Sequence, residues 1–404
     1  MMSSSIPSFS KRNLLLLASC QAIGQAANTM MFLATALSVV TFMSHRDLAT
    51  LPTTLQHLGV MLFVFPAAAL MQRRGRKFGF RAGSVVGMLG AATTGLGLNF
   101  GNFPLMCLGG LILGFAVANM QMYRFAAVEL VPPEMRAKAI SWVTAGGVAS
   151  AVLGPSLVRL THDQMVPLYL ATYVAMVGIH IVVFTVMSFI EFPPPVATST
   201  QAGAAADLPA RPLWVIAAQP RFFVPVIASM VAYGTMSFLM SASPLAIVAC
   251  GLAHSEAHWV MVLHVLGMFV PSFFTGNLIQ RFGVTNIMLW GAAGLLAGIA
   301  IGLMGVGEWN FRIALMLNGA GWNFLFIGAT TMVTTTYRPS ERGKTQALND
   351  FLTFGTTAIA SFLAGFLQEH LGWFPLNWFS LILVSVAVVA VTWLRVRRPQ
   401  LAAA

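Results

Sequence analysis

Long apolar stretches separated by short polar loops run through the whole chain, and they limit its fold more than any other feature. Of its 404 residues, 57% are hydrophobic and only 8% are charged, with a mean hydropathy of +0.80. A soluble domain carries roughly 25% charged residues, whereas a helix of about 20 apolar residues crosses a bilayer. Twelve stretches have about this length, near 14–43, 53–71, 83–100, 103–124, 139–160, 166–190, 220–248, 258–279, 284–304, 311–333, 345–368 and 373–394. The sequence therefore predicts an all-α membrane protein with twelve transmembrane helices.

The basic residues predict the orientation of the chain in the membrane. The formal net charge is +11, a balance that is also typical of nucleic-acid-binding proteins. If the N-terminal tail with Lys11 and Arg12 is cytoplasmic, the following basic residues are cytoplasmic as well: Arg73, Arg74, Arg76, Lys77, Arg81, Arg136, Lys138, Arg211, Arg221, Arg281, Arg338, Arg342, Lys344, Arg395, Arg397 and Arg398. Arg46, Arg159 and Arg312 fall on the outside. Because membrane proteins concentrate Lys and Arg in cytoplasmic loops, we expect cytoplasmic N- and C-termini, with the lipid bilayer rather than nucleic acid as partner.

The loop after the second stretch resembles the signature of a known family. Residues 68–81 read AALMQRRGRKFGFR. The signature of the major facilitator superfamily has the form Gly-x₃-Asp-Arg-x-Gly-Arg-Arg, and the matching residues here are Arg73, Gly75, Arg76 and Lys77. Ala68 replaces the glycine and Gln72 replaces the aspartate. The resemblance implies a secondary transporter that works by alternating access. It also implies a cytoplasmic gating network of charged residues and one glycine, which are here Arg73, Gly75, Arg76, Glu129 and Asp350. In this network, Asp350 would cap the start of the eleventh helix.

Internal repeats indicate that the chain consists of two related halves. Gln72 of the loop motif recurs 208 residues later as Gln280 in GNLIQRFG. PPEMRAK (132–138) recurs 206 residues later as RPSERGK (338–344). Repeats at about half the chain length are typical of two six-helix halves related by an axis along the membrane normal. We therefore expect pseudo-symmetric halves at 1–192 and 214–404, joined by a cytoplasmic linker at 193–213 that is rich in Pro, Ala and small polar residues.

Two pairs of soft metal ligands lie on consecutive predicted helices of the second half. Met236 and Met240 form a Met-x₃-Met pair, and His264 and Met268 form a His-x₃-Met pair. Residues four apart share a helix face, and thioethers together with an imidazole suit a copper(I)-like ion. The arrangement resembles that of the CcoA-type copper importers. That resemblance implies that the four residues bind copper during import across the bacterial inner membrane. The copper would supply haem–copper (cytochrome c) oxidase assembly, with a cytoplasmic copper chaperone as a further partner.

Seven further residues are candidates for a secondary metal path: Met30, Met31, His57, Met61, Cys250, His254 and His258. The first four lie on the helices of the first half that correspond to those of the copper ligands. The last three run at four-residue spacing through the turn after the seventh predicted helix. Core packing is the alternative for the methionines, and a solvated loop is the alternative for 250–258.

Enzyme chemistry is not indicated by any motif. The sequence has no Gly-Lys-Ser/Thr phosphate loop and no pair of carboxylates inside an apolar stretch. We predict a monomeric transporter that is not an enzyme and has no cofactor, copper being its substrate. A proton relay would need buried ionisable residues, for which the candidates are His57, His180, His264 and Asp350.

Two other functions remain open. The first is a proton-coupled antiporter or efflux carrier for drugs or small organic solutes, which the aromatic-rich spans favour. GGVASAVLGP (146–155) points the same way because it is similar to a glycine–proline motif of antiporters in this superfamily. Close helix packing through small residues is the alternative explanation of that motif. The second function is a membrane metal sensor or scaffold that does not translocate its ligand.

Overall fold

Helices form along every apolar stretch of the sequence. The computed structural model describes residues 11–43, 46–123, 126–127, 130–131, 136–192, 211–338 and 341–402, and no strand occurs in these ranges. Each of the twelve predicted stretches coincides with one helix or, near 258–279, with a pair of helices. The prediction of an all-α membrane protein is confirmed.

The chain divides into two units, Met1–Thr198 and Ser199–Ala404. The helices of the first unit are α1 (Lys11–Val39), α2 (Leu51–Arg74), α3 (Arg76–Asn99), α4 (Phe103–Met120), α5 (Arg136–Thr161) and α6 (Leu170–Ser188). Those of the second are α7 (Pro220–Ala249), α8 (His254–Phe269), α9 (Ser272–Phe282), α10 (Val284–Met304), α11 (Glu308–Val333), α12 (Arg342–Leu371) and α13 (Trp373–Ala402), with a short helix, Leu213–Ala217, before α7. Most of the predicted linker, 193–213, lies outside the described residues.

Among the described residues, nine helices are long and apolar enough to cross a membrane. The pair α8 and α9 is bent by 41° and adds a tenth span if it is counted as one. The bend coincides with Pro271, since a proline ring and its missing N–H interrupt a helix. Helices α3 and α5 occupy the two other predicted stretches and begin with the basic segments RKFGFR and RAK.

In the first unit, α1 packs against α5 and α6, while α3 packs against α4 and α6. Small residues of α5 allow the contact with α1. A Cβ on Gly146 would come within 2.6 Å of the Ala18 carbonyl oxygen, and one on Gly154 within 2.8 Å of Thr29 Cβ. Close helix packing therefore accounts for these glycines of the antiporter-like motif.

In the second unit, α7 packs against α11, α12 and α13, and α11 also packs against α8 and α10. Helix α11 therefore lies against both helices that carry the predicted copper ligands. The sequence pattern does not indicate that α11 is the neighbour of α7 and α8.

The repeated loop motif has the same backbone shape in both units. Gly75 joins α2 to α3 with φ 86° and ψ 160°, and Gly283 joins α9 to α10 with φ 85° and ψ 147°. The Gly75 N–H donates to the Met71 carbonyl at 2.9 Å, and the Gly283 N–H donates to the Ile279 carbonyl at 2.8 Å. Such dihedral angles are nearly exclusive to glycine. The repeat in the sequence thus corresponds to a shared turn at the end of a helix.

Replacing Gly75 or Gly283 with alanine is expected to lower the free energy of unfolding by roughly 1–3 kcal/mol, because a Cβ is strained at this positive φ. Gly276→Ala is the matched control, since Gly276 lies inside α9 and a Cβ there meets nothing within 4 Å. Thermal unfolding of the purified variants measures the difference. Equal Tm values for Gly283→Ala and Gly276→Ala would contradict the expectation.

Candidate substrate site

Four aromatic side chains from three helices of the second unit form a group that we call the aromatic cluster: Tyr233 of α7, Trp322 and Phe326 of α11, and Phe354 of α12. The Tyr233 ring centroid lies 5.2, 4.7 and 5.5 Å from those of Trp322, Phe326 and Phe354. Trp322 and Phe326 stack with their ring planes 17° apart. Trp322 is 7% exposed, and the other three residues are half-buried. The cluster thus combines a buried indole with rings that remain partly accessible.

Polar atoms without partners share helix faces with the aromatic cluster. Trp322 Nε1, both amide atoms of Asn318, and the hydroxyls of Ser229 and Ser237 are buried and lack a hydrogen-bond partner. Asn318 lies four residues before Trp322, and the two serines lie four residues to either side of Tyr233. An unpaired buried polar group costs about 1–3 kcal/mol. Aromatic surface with a few unpaired donors and acceptors is typical of a site for a flat organic molecule with polar edges.

The four predicted copper ligands are all buried. Met236, Met240 and Met268 are 6%, 5% and 8% exposed, and His264 is completely buried. The His264 Nδ1–H donates to the Leu315 carbonyl of α11 at 2.8 Å, which leaves Nε2 as an acceptor without a partner. The close approach of α8 and α11 at this point requires a glycine, because a Cβ on Gly319 of α11 would overlap the His264 carbonyl oxygen. The His264 side chain is therefore held against α11.

The corresponding residues of the first unit lie in its interior. Met30 and Met31 of α1 are buried, and the Thr35 hydroxyl donates to Met31 Sδ at 3.0 Å. The His57 ring lies 5.3 Å from the Phe32 ring, and Met61 is half-buried. These are contacts of a packed helix bundle.

The three residues near the α7–α8 turn lie in different surroundings. Cys250 and His254 are exposed, whereas His258 is buried and its ring lies 5.1 Å from that of Trp259. Glu256, between them, pairs with Arg312 of α11 at 2.5 Å. Within the described ranges, no three His, Cys, Asp or Glu side chains come together in a way that could hold a metal ion.

The predicted gating network is only partly covered by the structure. Glu129 lies outside the described residues. Arg73 is exposed, Gly75 forms the turn between α2 and α3, and Arg76 donates to Met71 Sδ at 3.5 Å. Asp350 lies well inside α12, which begins at Arg342, and it accepts from Asn349 Nδ2 at 3.0 Å. The prediction that Asp350 caps this helix is wrong, because Asp350 lies beyond the first turn, the part of a helix in which an acid interacts with the dipole.

A different acid, Glu341, occupies the N-cap position of α12. Its buried carboxylate accepts from Nε and Nη2 of Arg211 at 2.9 and 2.7 Å and from the Arg338 N–H at 2.9 Å. Lys344 Nζ donates to the Arg211 carbonyl. The Arg211 guanidinium holds the pKa of Glu341 well below its usual range. Glu341 belongs to the repeated RPSERGK segment, but no spacing in the sequence points to Arg211, 130 residues away.

The aromatic cluster is the main feature that the sequence alone did not reveal. Its residues come from α7, α11 and α12, and only Trp322 and Phe326 have the spacing of neighbours on one helix. The available signal was the aromatic content of the spans, which favours a carrier of organic solutes without indicating which rings meet.

The sequence matches the Major Facilitator Superfamily over residues 14–248 and 225–404. Solved structures of similar fold include a bacterial homologue of the iron transporter ferroportin in an outward-facing state, with a TM-score of 0.66 and 14% identity over 95% of this chain and 100% of that one. Another is the superfamily transporter FucP in its outward conformation, with a TM-score of 0.62 and 19% identity over 95% and 98% of the two chains. At these identities the likeness concerns the fold alone.

Two curated relatives are similar over most of their length. The riboflavin transporter RfnT of Brucella anthropi is 37% identical over 395 residues, which is 98% of either chain. The uncharacterized MFS-type transporter YddS of Bacillus subtilis is 26% identical and covers 86% of this chain and 82% of its own.

The copper predictions are wrong. A relative that is 37% identical along almost the whole chain is described as a riboflavin transporter, which conflicts with copper import, with metal binding, and with a copper ion and a copper chaperone as partners. The resemblance to CcoA-type importers rested on two short spacings, whereas the similarity to this relative extends over both halves. The family resemblance itself is confirmed, and with it a multi-pass membrane protein of a transporter family. This chain belongs to the major facilitator superfamily.

Proposed function

We propose that this protein transports riboflavin or a closely related flavin across the bacterial inner membrane. The observation that carries the proposal is the 37% identity to the riboflavin transporter of Brucella anthropi over 98% of both chains. The proposal falls within one of the functions that the sequence leaves open, a carrier of small organic solutes.

The aromatic cluster supports a flavin as the substrate. The isoalloxazine ring of riboflavin is a flat aromatic system with imide and ring-nitrogen donors and acceptors along its edge. Stacking between aromatic rings contributes about 0.5–1.5 kcal/mol beyond the burial of area, and Tyr233, Phe326 and Phe354 are partly accessible for it. The unpaired Trp322 N–H suits an acceptor on the ring edge, and the Asn318 amide suits an imide that both donates and accepts.

Binding can be tested with the flavin itself, since stacking on tryptophan and tyrosine quenches flavin fluorescence. Titrating riboflavin with the detergent-purified protein should quench its emission in a saturable way. Lumichrome, which has the ring system without the ribityl chain, should compete, whereas ribitol and copper(I) should not. Unquenched riboflavin at saturating protein, or displacement by copper(I), would overturn the proposal.

The proposal includes the orientation in the membrane, with both termini cytoplasmic and the α7–α8 turn outside. It is supported by the basic residues at the ends of α2 and α9, Arg73, Arg74 and Arg281, which belong on the cytoplasmic side.

A membrane-impermeant maleimide added to intact cells should then label Cys250, the exposed cysteine, and spare the buried Cys20 and Cys107. Partial desolvation by neighbouring atoms raises the pKa of the Cys250 thiol, so labelling should be faster at higher pH, where more thiolate is present. Labelling of Cys250 only after the cells are opened would contradict this orientation.

A further inference from the structure

An exposed apolar face of α13 ends at a basic residue. Among the candidate spans that the structure describes, α13 is the least buried. Ile382, Val386, Val389 and Val396 are 62%, 49%, 68% and 71% exposed, and their spacing places them on one side of the helix. We call these four residues the apolar stripe. Arg397, which is exposed, follows the last of them directly.

Two aromatic rings lie beside Arg397 at the end of the apolar stripe. Its guanidinium carbon lies 5.0 Å from the centroid of the Trp393 ring, one turn earlier on α13. The Trp393 ring in turn lies 6.1 Å from that of Phe223, at the start of α7. The face of an indole attracts a guanidinium, and tryptophan is enriched where a helix leaves the hydrocarbon core of a membrane. Helices α7 and α13 thus bring a positive charge and two rings together.

The charge of Arg397 is not balanced by an acid. Within the part of the chain that the structure describes, Arg397 forms neither an ion pair nor a hydrogen bond. The sequences of α7 and α10, which pack against α13, and of α13 itself contain no Asp or Glu. Arg221, two residues before Phe223, is exposed as well and adds a second positive charge. This surface favours an anionic ligand, and the planar guanidinium matches the oxygens of a phosphate.

The ligand has to cover the apolar stripe and to present a negative charge at its end. An anionic phospholipid does both, because its acyl chains lie in the hydrocarbon core and its phosphate lies at the membrane surface. A second copy of this chain fits less well. A two-fold axis along the membrane normal would place the two stripes side by side in parallel, so that two Arg397 guanidinium groups would face each other at the same depth.

We propose that Arg397, Trp393 and Phe223 bind the headgroup of an anionic phospholipid whose acyl chain lies along the apolar stripe. The guanidinium donates to the phosphate oxygens, and the indole holds the guanidinium in place. A zwitterionic lipid is a poorer ligand, because its own ammonium group is repelled by the unbalanced arginines. The site concerns a membrane lipid and is independent of the proposed transport of a flavin.

Native mass spectrometry of the full-length protein in detergent counts the bound lipids directly. Wild type should bind phosphatidylglycerol in a saturable way and in preference to phosphatidylcholine. At a concentration that saturates wild type, Arg397→Gln should carry one phosphatidylglycerol fewer, because losing a charged hydrogen-bond donor weakens this site by about tenfold or more. Arg395→Gln is the matched control. It removes the same charge from an exposed residue about 200° around the same helix, and it should keep the wild-type number of lipids.

Trp393→Leu tests the ring separately, since it keeps the charge of Arg397 and should weaken the same site by a smaller factor. Equal losses for Arg397→Gln and Arg395→Gln would show that net charge alone attracts the lipid, and equal binding of phosphatidylcholine would show no preference for an anion. Displacement of the lipid by inorganic phosphate would indicate a simple anion site. A disulfide-linked dimer of Val389→Cys in membranes, absent from wild type, would show that a second copy covers the stripe. Each of these four results would overturn the proposal.

Discussion

Trp322→Ala is expected to lower the affinity for riboflavin by about tenfold to a hundredfold. The indole stacks on Phe326, and so supports the accessible rings of the aromatic cluster, and it carries an unpaired N–H. Stacking and a hydrogen bond are each worth roughly 0.5–1.5 kcal/mol, and 1.4 kcal/mol corresponds to about a factor of ten in affinity. The quenching titration measures the change directly.

The variant also removes a buried ring, which costs folding stability of about 3–5 kcal/mol, so binding is compared on the folded fraction. Trp322→Phe helps to separate the two contributions, because it keeps an aromatic face while it loses the N–H together with the five-membered ring. Its affinity should fall by less than that of Trp322→Ala. The control is Trp378→Ala, a tryptophan on α13 that is 57% exposed. If Trp322→Ala binds riboflavin as wild type does, the aromatic cluster is not the flavin site.

Gly319→Ala is expected to abolish most transport and to destabilise the second unit. A Cβ at this position would overlap the carbonyl oxygen of His264 and approach the Met268 N–H within 2.9 Å. Both are backbone atoms, so α8 and α11 must separate. Overpacking of this kind costs roughly 1–3 kcal/mol, and the separation would break the hydrogen bond from His264 to Leu315 and shift the neighbouring Asn318 and Trp322.

Gly276→Ala again provides the control, since it adds the same methyl group to the second unit where nothing lies within 4 Å. Thermal unfolding and riboflavin exchange by the two variants give the comparison. If Gly319→Ala exchanges riboflavin at the wild-type rate, α8 and α11 can separate without disturbing the substrate site, and the prediction is wrong.

The fold could be predicted in detail because its main constraint is local. A membrane requires about 20 apolar residues for each helical crossing, and this requirement is visible in the sequence without knowledge of neighbours. The ends of helices were harder to predict from the sequence, because α12 (Arg342–Leu371) extends beyond the apolar stretch at 345–368 in both directions. The repeated turn at Gly75 and Gly283 was detectable because glycine is required at its dihedral angles.

The site could not be predicted because it depends on which helices meet. The Met-x₃-Met and His-x₃-Met spacings establish that two residues share a helix face, but not what that face contacts. In the structure, α11 lies against both α7 and α8, and His264 donates to its backbone. The aromatic cluster joins residues of α7, α11 and α12, and the ion pair of Arg211 with Glu341 spans 130 residues. Neither contact has a periodicity that a single sequence can show.

Riboflavin exchange by the purified wild-type protein in liposomes tests the central claim most directly. Liposomes loaded with unlabelled riboflavin are diluted into a trace of labelled riboflavin, and the label inside is followed over time. The flavin-transporter account predicts a transient accumulation of label above its equilibrium level, which lumichrome reduces and copper(I) leaves unchanged. Label that enters no faster than it enters liposomes without protein would contradict it.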